Sequence, residues 1–160
     1  MNELQYEKIS KPFRKNQKGL LLINKFLTAL GYIMYPLLLL YTFFYKSEMC
    51  IPCILIPASG FILLTFIRKK INKKRPYEAL NIIPIIKKDT KGNSMPSRHV
   101  FSLSIIACSW FVVSPMIGII LILCSVMIAC IRVIGGVHFP SDVIVGMLCA
   151  CIWSLFYFFI

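Results

Sequence analysis

The sequence predicts an all-α integral membrane protein, a helical bundle of about five transmembrane helices. Three observations predict it. The 160-residue chain is 58% hydrophobic, with a mean hydropathy of +0.78. Its apolar residues gather in long runs, the clearest being 20 uncharged residues over 26–45. Its 18 Lys and Arg, against 6 Asp and Glu, concentrate in two segments, 1–19 and 68–98, and leave the runs almost free of charge. Basic segments between hydrophobic spans with few interleaved aromatics do not make a nucleic-acid surface; they are the positive-inside pattern of a membrane protein.

Residues 1–19 carry Lys8, Lys11, Arg14, Lys15 and Lys18 against Glu3 and Glu7, and read as a basic N-terminal tail. No cleavable signal peptide is expected. Residues 20–160 read as one transmembrane domain. The first span is 26–45, with a kink expected at Pro36. "KSE" turns the chain into the second span, 50–67, where Pro52 and Pro57 weaken the first half. Segment 68–98 is a long basic loop broken by Pro76, Pro84 and Gly92, with an interfacial piece around "ALNIIPII". The third span runs from Ser97 to Val113, the fourth from Met116 to about Ile134 and the fifth over 143–160. Of the seven cysteines, five lie inside apolar runs as small hydrophobes, and Cys50 and Cys53 form a lone C-x-x-C without further metal ligands nearby.

Several polar residues break the pattern. Arg132 closes the fourth span inside "IACIRVIGG". It either snorkels to the interface or faces a polar cavity. His138 and Asp142 flank "FPS", where Ser141 reads as an N-cap and Asp142 as an acid in the first helical turn. Ser97 reads as the cap of the third span, with His99 in its first turn. Arg98 is the misfit, because a cation at a helix start opposes the macrodipole. An anion bound there removes the conflict, since free backbone N–H groups and a guanidinium suit a phosphate.

Counting alternate spans brings Arg68, Arg75, Ser97, Arg98, His99, Arg132, His138 and Asp142 to one membrane face. Several arginines, two histidines and one carboxylate suit phosphoryl transfer. The arginines neutralise phosphate oxygens, one histidine attacks phosphorus, the other protonates the leaving oxygen, and the carboxylate fixes a tautomer. No acidic cluster is present to hold Mg²⁺, so a mechanism without metal or other cofactor is expected.

The spacing resembles the type 2 phosphatidic acid phosphatase (PAP2) superfamily, whose soluble relatives include vanadium haloperoxidases. The family's K-x6-R-P stands here as "RKKINKKRP", with Arg68 at the lysine position and Arg75-Pro76 intact. P-S-G-H stands as "PSRH", with Arg98 at the glycine. S-R-x5-H-x3-D stands as "IRVIGGVHFPSD", with Ile131 at the serine. The resemblance covers roughly 50–160. It implies a PAP2/haloperoxidase-like core, His138 as nucleophile, Asp142 as its orienting group and His99 as general acid. It also implies Arg75, Arg132 and Ser97 as phosphate ligands, with Arg68 in the lysine's place; Arg98 departs from the family's glycine, and its phosphate contact rests on the helix-start reading above. The implied activity is hydrolysis of a lipid phosphate or diphosphate, with undecaprenyl diphosphate, phosphatidylglycerophosphate and phosphatidate as candidates. The alternative is a catalytically silent protein that holds an anionic lipid headgroup in the same pocket. The Ile-, Lys- and Asn-rich usage fits an AT-rich bacterium, hence a multi-pass protein of the plasma membrane; oligomeric state is not legible. The basic tail and the basic loop place the site on the cytoplasmic face.

Overall fold

The computed structural model describes residues 1–159, and every regular element among them is helical. Helix α1 is Glu3–Arg14 and α2 is Gln17–Tyr45. A short 3₁₀ turn leads into α3, Cys50–Ile71, and a single turn, α4, covers Pro76–Ala79. Then follow α5, Arg98–Val113, α6, Pro115–Ile134, and α7, Pro140–Ser154, which runs on as a 3₁₀ turn to Phe159. Helices α2, α3, α6 and α7 belong to stretches long and apolar enough to cross a membrane, and α5 is a shorter apolar helix.

The molecule is apolar outside as well as inside. Phe43, Phe44, Phe66 and Leu123 on the spans are all more than half exposed. Such a surface is stable only against lipid, and the chain is a multi-pass membrane protein. Helix α5 is the hub, packing against α2, α3, α6 and α7. Its Phe101, Ile105 and Trp110 form the main core with Leu38, Ile56, Leu64 and Ala150. The Trp110 Nε1–H donates to the Met34 carbonyl at 2.9 Å, giving the buried indole a partner. Between α5 and α6 lies a one-residue turn, Ser114. A Cβ on Gly118 would stand 2.3 Å from the Phe111 Cα, so a side chain there would force the two helices apart.

Most span boundaries fall within a few residues of expectation, and the differences have physical causes. Helix α2 starts at Gln17 and continues unbroken through Pro36, so the first run is one span. Helix α7 starts at Pro140, not after Ser141. Proline at the first helical position needs no donor, and the Asp142 carboxylate accepts the Phe139 N–H at 2.9 Å, so Asp142 caps the helix and Ser141 does not. Ser97 is the N-cap of α5 by position only, because its Oγ makes no capping bond. In "ALNIIPII", Ile85 and Ile86 are buried against Leu20 and Val137, while Ile83 stays exposed.

The N-terminal segment also differs from a plain tail. Asn2 and Gln5 form a reciprocal capping box that starts α1. Tyr6 is fully buried, its hydroxyl donates to the Ile83 carbonyl at 3.3 Å, and its ring fills the space under Gly136. Glu3 accepts the Asn81 N–H at 2.8 Å. Helix α1 is therefore a clamp across the 80–86 loop and the 135–137 turn. Truncating a buried aromatic costs about 3–5 kcal/mol, so Tyr6→Ala should clearly lower the thermal transition of the detergent-purified protein. Tyr6→Phe should leave it nearly unchanged, because the hydroxyl bond is long and the ring carries the packing. Equal losses in the two variants would assign the clamp to the hydroxyl.

Candidate active site

The site forms where three chain segments meet at one end of the bundle. The first is the C-terminal end of α3 and the turn after it, residues 68–75. The left-handed Asn72 (φ 41°) ends α3 there and turns the chain back. The second is the run 92–99 into α5, and the third is the 132–142 turn between α6 and α7. Helix α5 has 16 residues, about 24 Å at 1.5 Å per residue, against a hydrocarbon core of about 30 Å. The three segments together form a cup at this end of the bundle.

Backbone bonds lock the three segments together. The Ser97 N–H donates to the Asp142 carbonyl at 2.8 Å, the Ser94 N–H to the Lys73 carbonyl at 2.9 Å, and the His138 and Val137 N–H groups to the Arg132 carbonyl. Two arginines act as internal braces. Arg68 donates to the carbonyls of Pro96 and Asn93. Arg75 donates to the carbonyls of Gly92 at 3.1 Å and Val137 at 3.3 Å. Glu78 accepts the Gly92 N–H with both oxygens.

All eight residues singled out in the sequence come to this end. Arg68, Arg75, Arg98, His99 and His138 line one polar cavity of about 220 Å³, with Lys88 on the same wall. Ser97, Arg132 and Asp142 are buried beside it, each no more than 2% exposed. Two of their polar atoms, the Ser97 Oγ and the Arg132 Nε, have no hydrogen-bond partner. Unpartnered buried donors at the mouth of a helix are what a bound oxyanion satisfies.

Asp142 is held from several directions. Its Oδ1 pairs with the Lys73 Nζ at 2.7 Å. Its Oδ2 accepts from the Ser94 Oγ at 2.5 Å and from the Phe139 N–H. The His138 Nδ1 lies 3.7 Å from Oδ2, too far for a direct bond, but 3.4 Å from the Ser94 Oγ. Ser94 gives its one proton to the carboxylate and is free to accept from the Nδ1–H of His138. That tautomer leaves the lone pair on Nε2. Burial, assisted by Arg75 and Arg132 and opposed by Asp142, pulls the pKa of His138 down to about 4, so the ring is neutral at pH 7 and able to act as a nucleophile.

Sequence reasoning missed Ser94, Lys73 and Lys88. Ser94 stands three residues before Ser97, in the opening of the second motif. Both lysines were hidden among the loop's other cations. Burial, reinforced by Arg132, Arg75, Arg98 and Arg68, lowers the Lys88 ammonium to about 8.

Away from the polar cavity runs an apolar groove of about 610 Å³ between α2, α3 and α5, lined by Leu27, Tyr35, Pro57, Phe61 and Ile106 among others. Arg98 and His99 line both spaces. The two spaces therefore meet at these two residues.

The profile of the PAP2 superfamily matches residues 48–160. The crystal structure of Aquifex aeolicus LpxE is similar at 25% identity with a TM-score of 0.76, over 99% of this chain and 95% of that one. The transmembrane PAP2-type phosphatidylglycerolphosphate phosphatase from Bacillus subtilis has the same fold at 20% identity, with a TM-score of 0.61, over 97% of this chain and 90% of that one. Comparison with curated proteins gave no match.

Convergent cations with their nearest carboxylate already engaged repel one another. Millimolar orthovanadate or phosphate should therefore raise the thermal transition of the purified protein, by the mass-action stabilisation of about 2.7 kcal/mol that a ligand gives at 100 times its Kd. Arg132→Ala should abolish the shift. A transition indifferent to both anions would show that the cations do not form a binding site.

Proposed function

The chain belongs to the PAP2 superfamily, and from that premise we propose that it is a phosphatase of membrane lipid phosphates or diphosphates that works through a phosphohistidine at His138. One observation carries the lipid part of this reading: Arg98 and His99 belong both to the polar cavity and to the apolar groove between the spans. A lipid tail in the groove delivers its headgroup to the cradle without leaving the bilayer.

The chemistry follows from the residues in place. Arg75, Arg132 and the Ser97 hydroxyl hold the phosphate oxygens, with Arg68 behind them bracing the loop. The His138 Nε2 attacks phosphorus in line, its Nδ1–H held by Ser94 and, through it, by Asp142. The phosphorus–oxygen bond to the lipid breaks as the Nε2–phosphorus bond forms, and His99 donates a proton to the leaving oxygen. Water then attacks the phosphohistidine, giving its proton to His99 and releasing orthophosphate. Among the described residues no group of three or more His, Cys, Asp or Glu could hold a divalent metal, and both oxygens of the Asp142 carboxylate are engaged. Activity in EDTA should equal activity without it.

His138→Ala should lower phosphate release from detergent-solubilised lipid phosphates by several orders of magnitude, because without a nucleophile the full barrier of phosphoryl transfer returns. His99→Ala should cost far less on an activated aryl phosphate than on an alkyl ester, since the aryl oxide leaves without a proton. Substantial release by His138→Ala would remove this residue from the reaction. Vanadate binding by wild type with no release from any lipid phosphate would identify a silent headgroup binder.

The same reading places the site on the cytoplasmic face of a bacterial plasma membrane. The unbroken α2 supports the odd span count, and the basic segments agree with it. In a cysteine-free background, Lys87→Cys on the exposed loop should resist a membrane-impermeant maleimide in intact cells and react after permeabilisation. Ready labelling in intact cells would turn the site outward.

A further inference from the structure

We propose that Lys88 is a further substrate-contacting residue, whose ammonium enters the polar cavity and holds a non-bridging oxygen of the phosphate that His138 attacks. The assignment rests on the phosphatase reading above and adds to it a ligand that lies in none of the three sequence motifs. Three observations carry it.

The loop is built to present this side chain. Lys88 lies between "RKKINKKRP" and "PSRH", in a segment fastened on both sides. Before it, Ile85 and Ile86 are buried against Leu20 and Val137, and the Ile86 N–H donates to the Gly135 carbonyl at 3.1 Å. After it, the Tyr77 hydroxyl donates to the Thr90 carbonyl. Gly92 is gripped through its carbonyl by Arg75 and through its N–H by Glu78. The stretch between these anchors is therefore a fixed wall of the site. Lys69, Lys88 and Lys91 all line the cavity, but Lys69 and Lys91 are exposed and only Lys88 of the three is half-buried. Its neighbour Lys87 is exposed as well.

The surroundings hold no counter-ion. Lys88 shares the cavity with Arg68 from α3, Arg75 from the turn before α4, Arg98 and His99 from the start of α5, and His138 from the turn after α6. Arg132, at the end of α6, acts on it as a further cation. Lys88 makes no hydrogen bond or ion pair among the described residues. The carboxylates nearby are committed, Asp142 to Lys73 and Ser94 and Glu78 to the Gly92 N–H. A half-buried ammonium among guanidiniums costs the fold stability. A bound phosphate is the anion that removes this cost.

The arginines leave a task for it. Arg68 spends donors on the carbonyls of Pro96 and Asn93, and Arg75 on those of Gly92 and Val137. A guanidinium braced in this way cannot follow an oxygen that moves. In phosphoryl transfer the charge spreads over three equatorial oxygens, which shift as phosphorus passes from the leaving oxygen to the nucleophile. An ammonium on a flexible stem, with three rotatable donors, keeps its contact through that motion. Lys88 holds its own proton throughout. The bonds made and broken are those already described, and the lysine contributes charge alone.

The same placement makes phosphate binding depend on pH. Burial, reinforced by Arg132, Arg75, Arg98 and Arg68, lowers the Lys88 ammonium to about 8, so its charge is lost as pH rises through that value. The arginines facing it keep their charge across this range. His138 has given up its proton far below it, and an imidazole such as that of His99 ordinarily titrates at about 6.5.

The test compares full-length, detergent-purified wild type with Lys88→Met, Lys88→Arg and, as a control on the exposed side of the loop, Lys87→Met. Lys88→Met should weaken inorganic phosphate binding and lower kcat/KM on a lipid phosphate by roughly 10- to 100-fold, the worth of a bond to a charged group. Lys87→Met should change neither. Without ligand, Lys88→Met should melt at or above the wild-type temperature, because an uncompensated cation has been removed. A structural lysine would lower it. Raising the pH from about 7 to about 9 should weaken phosphate binding by wild type relative to Lys88→Arg, a comparison in which titration of the ligand cancels. Wild-type binding and turnover in Lys88→Met, or a ligand-free transition well below that of wild type, overturns the assignment and leaves the phosphatase reading standing. Equal pH dependence in wild type and Lys88→Arg overturns it too. Release from no lipid phosphate by wild type overturns the phosphatase reading, and the binding comparison then decides on its own whether Lys88 holds phosphate.

Discussion

The buried carboxylate of Asp142 is the constraint on which the rest of the site depends. A fully buried anion is tolerable only if donors surround it, and here they come from every segment that builds the cup. Lys73 reaches in from the turn after α3, Ser94 from the run before α5, and the Phe139 N–H from the start of α7. The same residue's carbonyl takes the Ser97 N–H. Satisfying one charge thus fixes the relative positions of three loops far apart in sequence. His138, one helical turn before Asp142, inherits its place and its tautomer from that arrangement.

The cations obey a second rule. Arg68 and Arg75 are turned partly onto backbone carbonyls, so they spend donors on holding the loops and present the remainder to the cavity. Among the described residues Arg132 keeps its Nε unpartnered, Lys88 makes no hydrogen bond or ion pair, and Arg98 stands over the Phe61 ring. Substituting arginine for the family's lysine at position 68 makes physical sense in this light. A forked guanidinium can grip two carbonyls at once, which an ammonium at the end of a flexible stem does poorly. Lys88, from a loop between the first two motifs, returns an ammonium to the cavity.

The spans were legible because lipid demands long apolar runs, and nothing in the chain competes with that signal. The motif residues were legible because charge is rare near spans, so Arg132 and His138 stood out against their neighbours. Ser94 and Lys73 did not stand out. A serine near a proline and a lysine among lysines carry no periodicity and no contrast, and their roles arise only when residues 69 and 48 positions away arrive beside them. Helix α1 lay between these cases. Its Asn2–Gln5 capping box and the helical spacing of Tyr6, Ile9 and Phe13 were present in the sequence, but the surrounding charges drew the reading toward a tail. The helix start at Pro140 was mistaken because Ser141 is a better cap than Phe139 by residue type, while the deciding group is the Asp142 side chain reaching back.

Helix α1 has a consequence for how the protein is made. Tyr6 needs Ile83 and Gly136 for its seat, so α1 has no place to dock until the 135–137 turn has been made. During synthesis it must wait at the membrane surface, its aromatic ring unsheltered, while α2 to α6 insert and the 135–139 turn emerges. Closing so long a loop costs conformational entropy that local helix formation does not repay. The seating of α1 therefore follows the assembly of the bundle, and the turn that carries His138 acquires its final support only then.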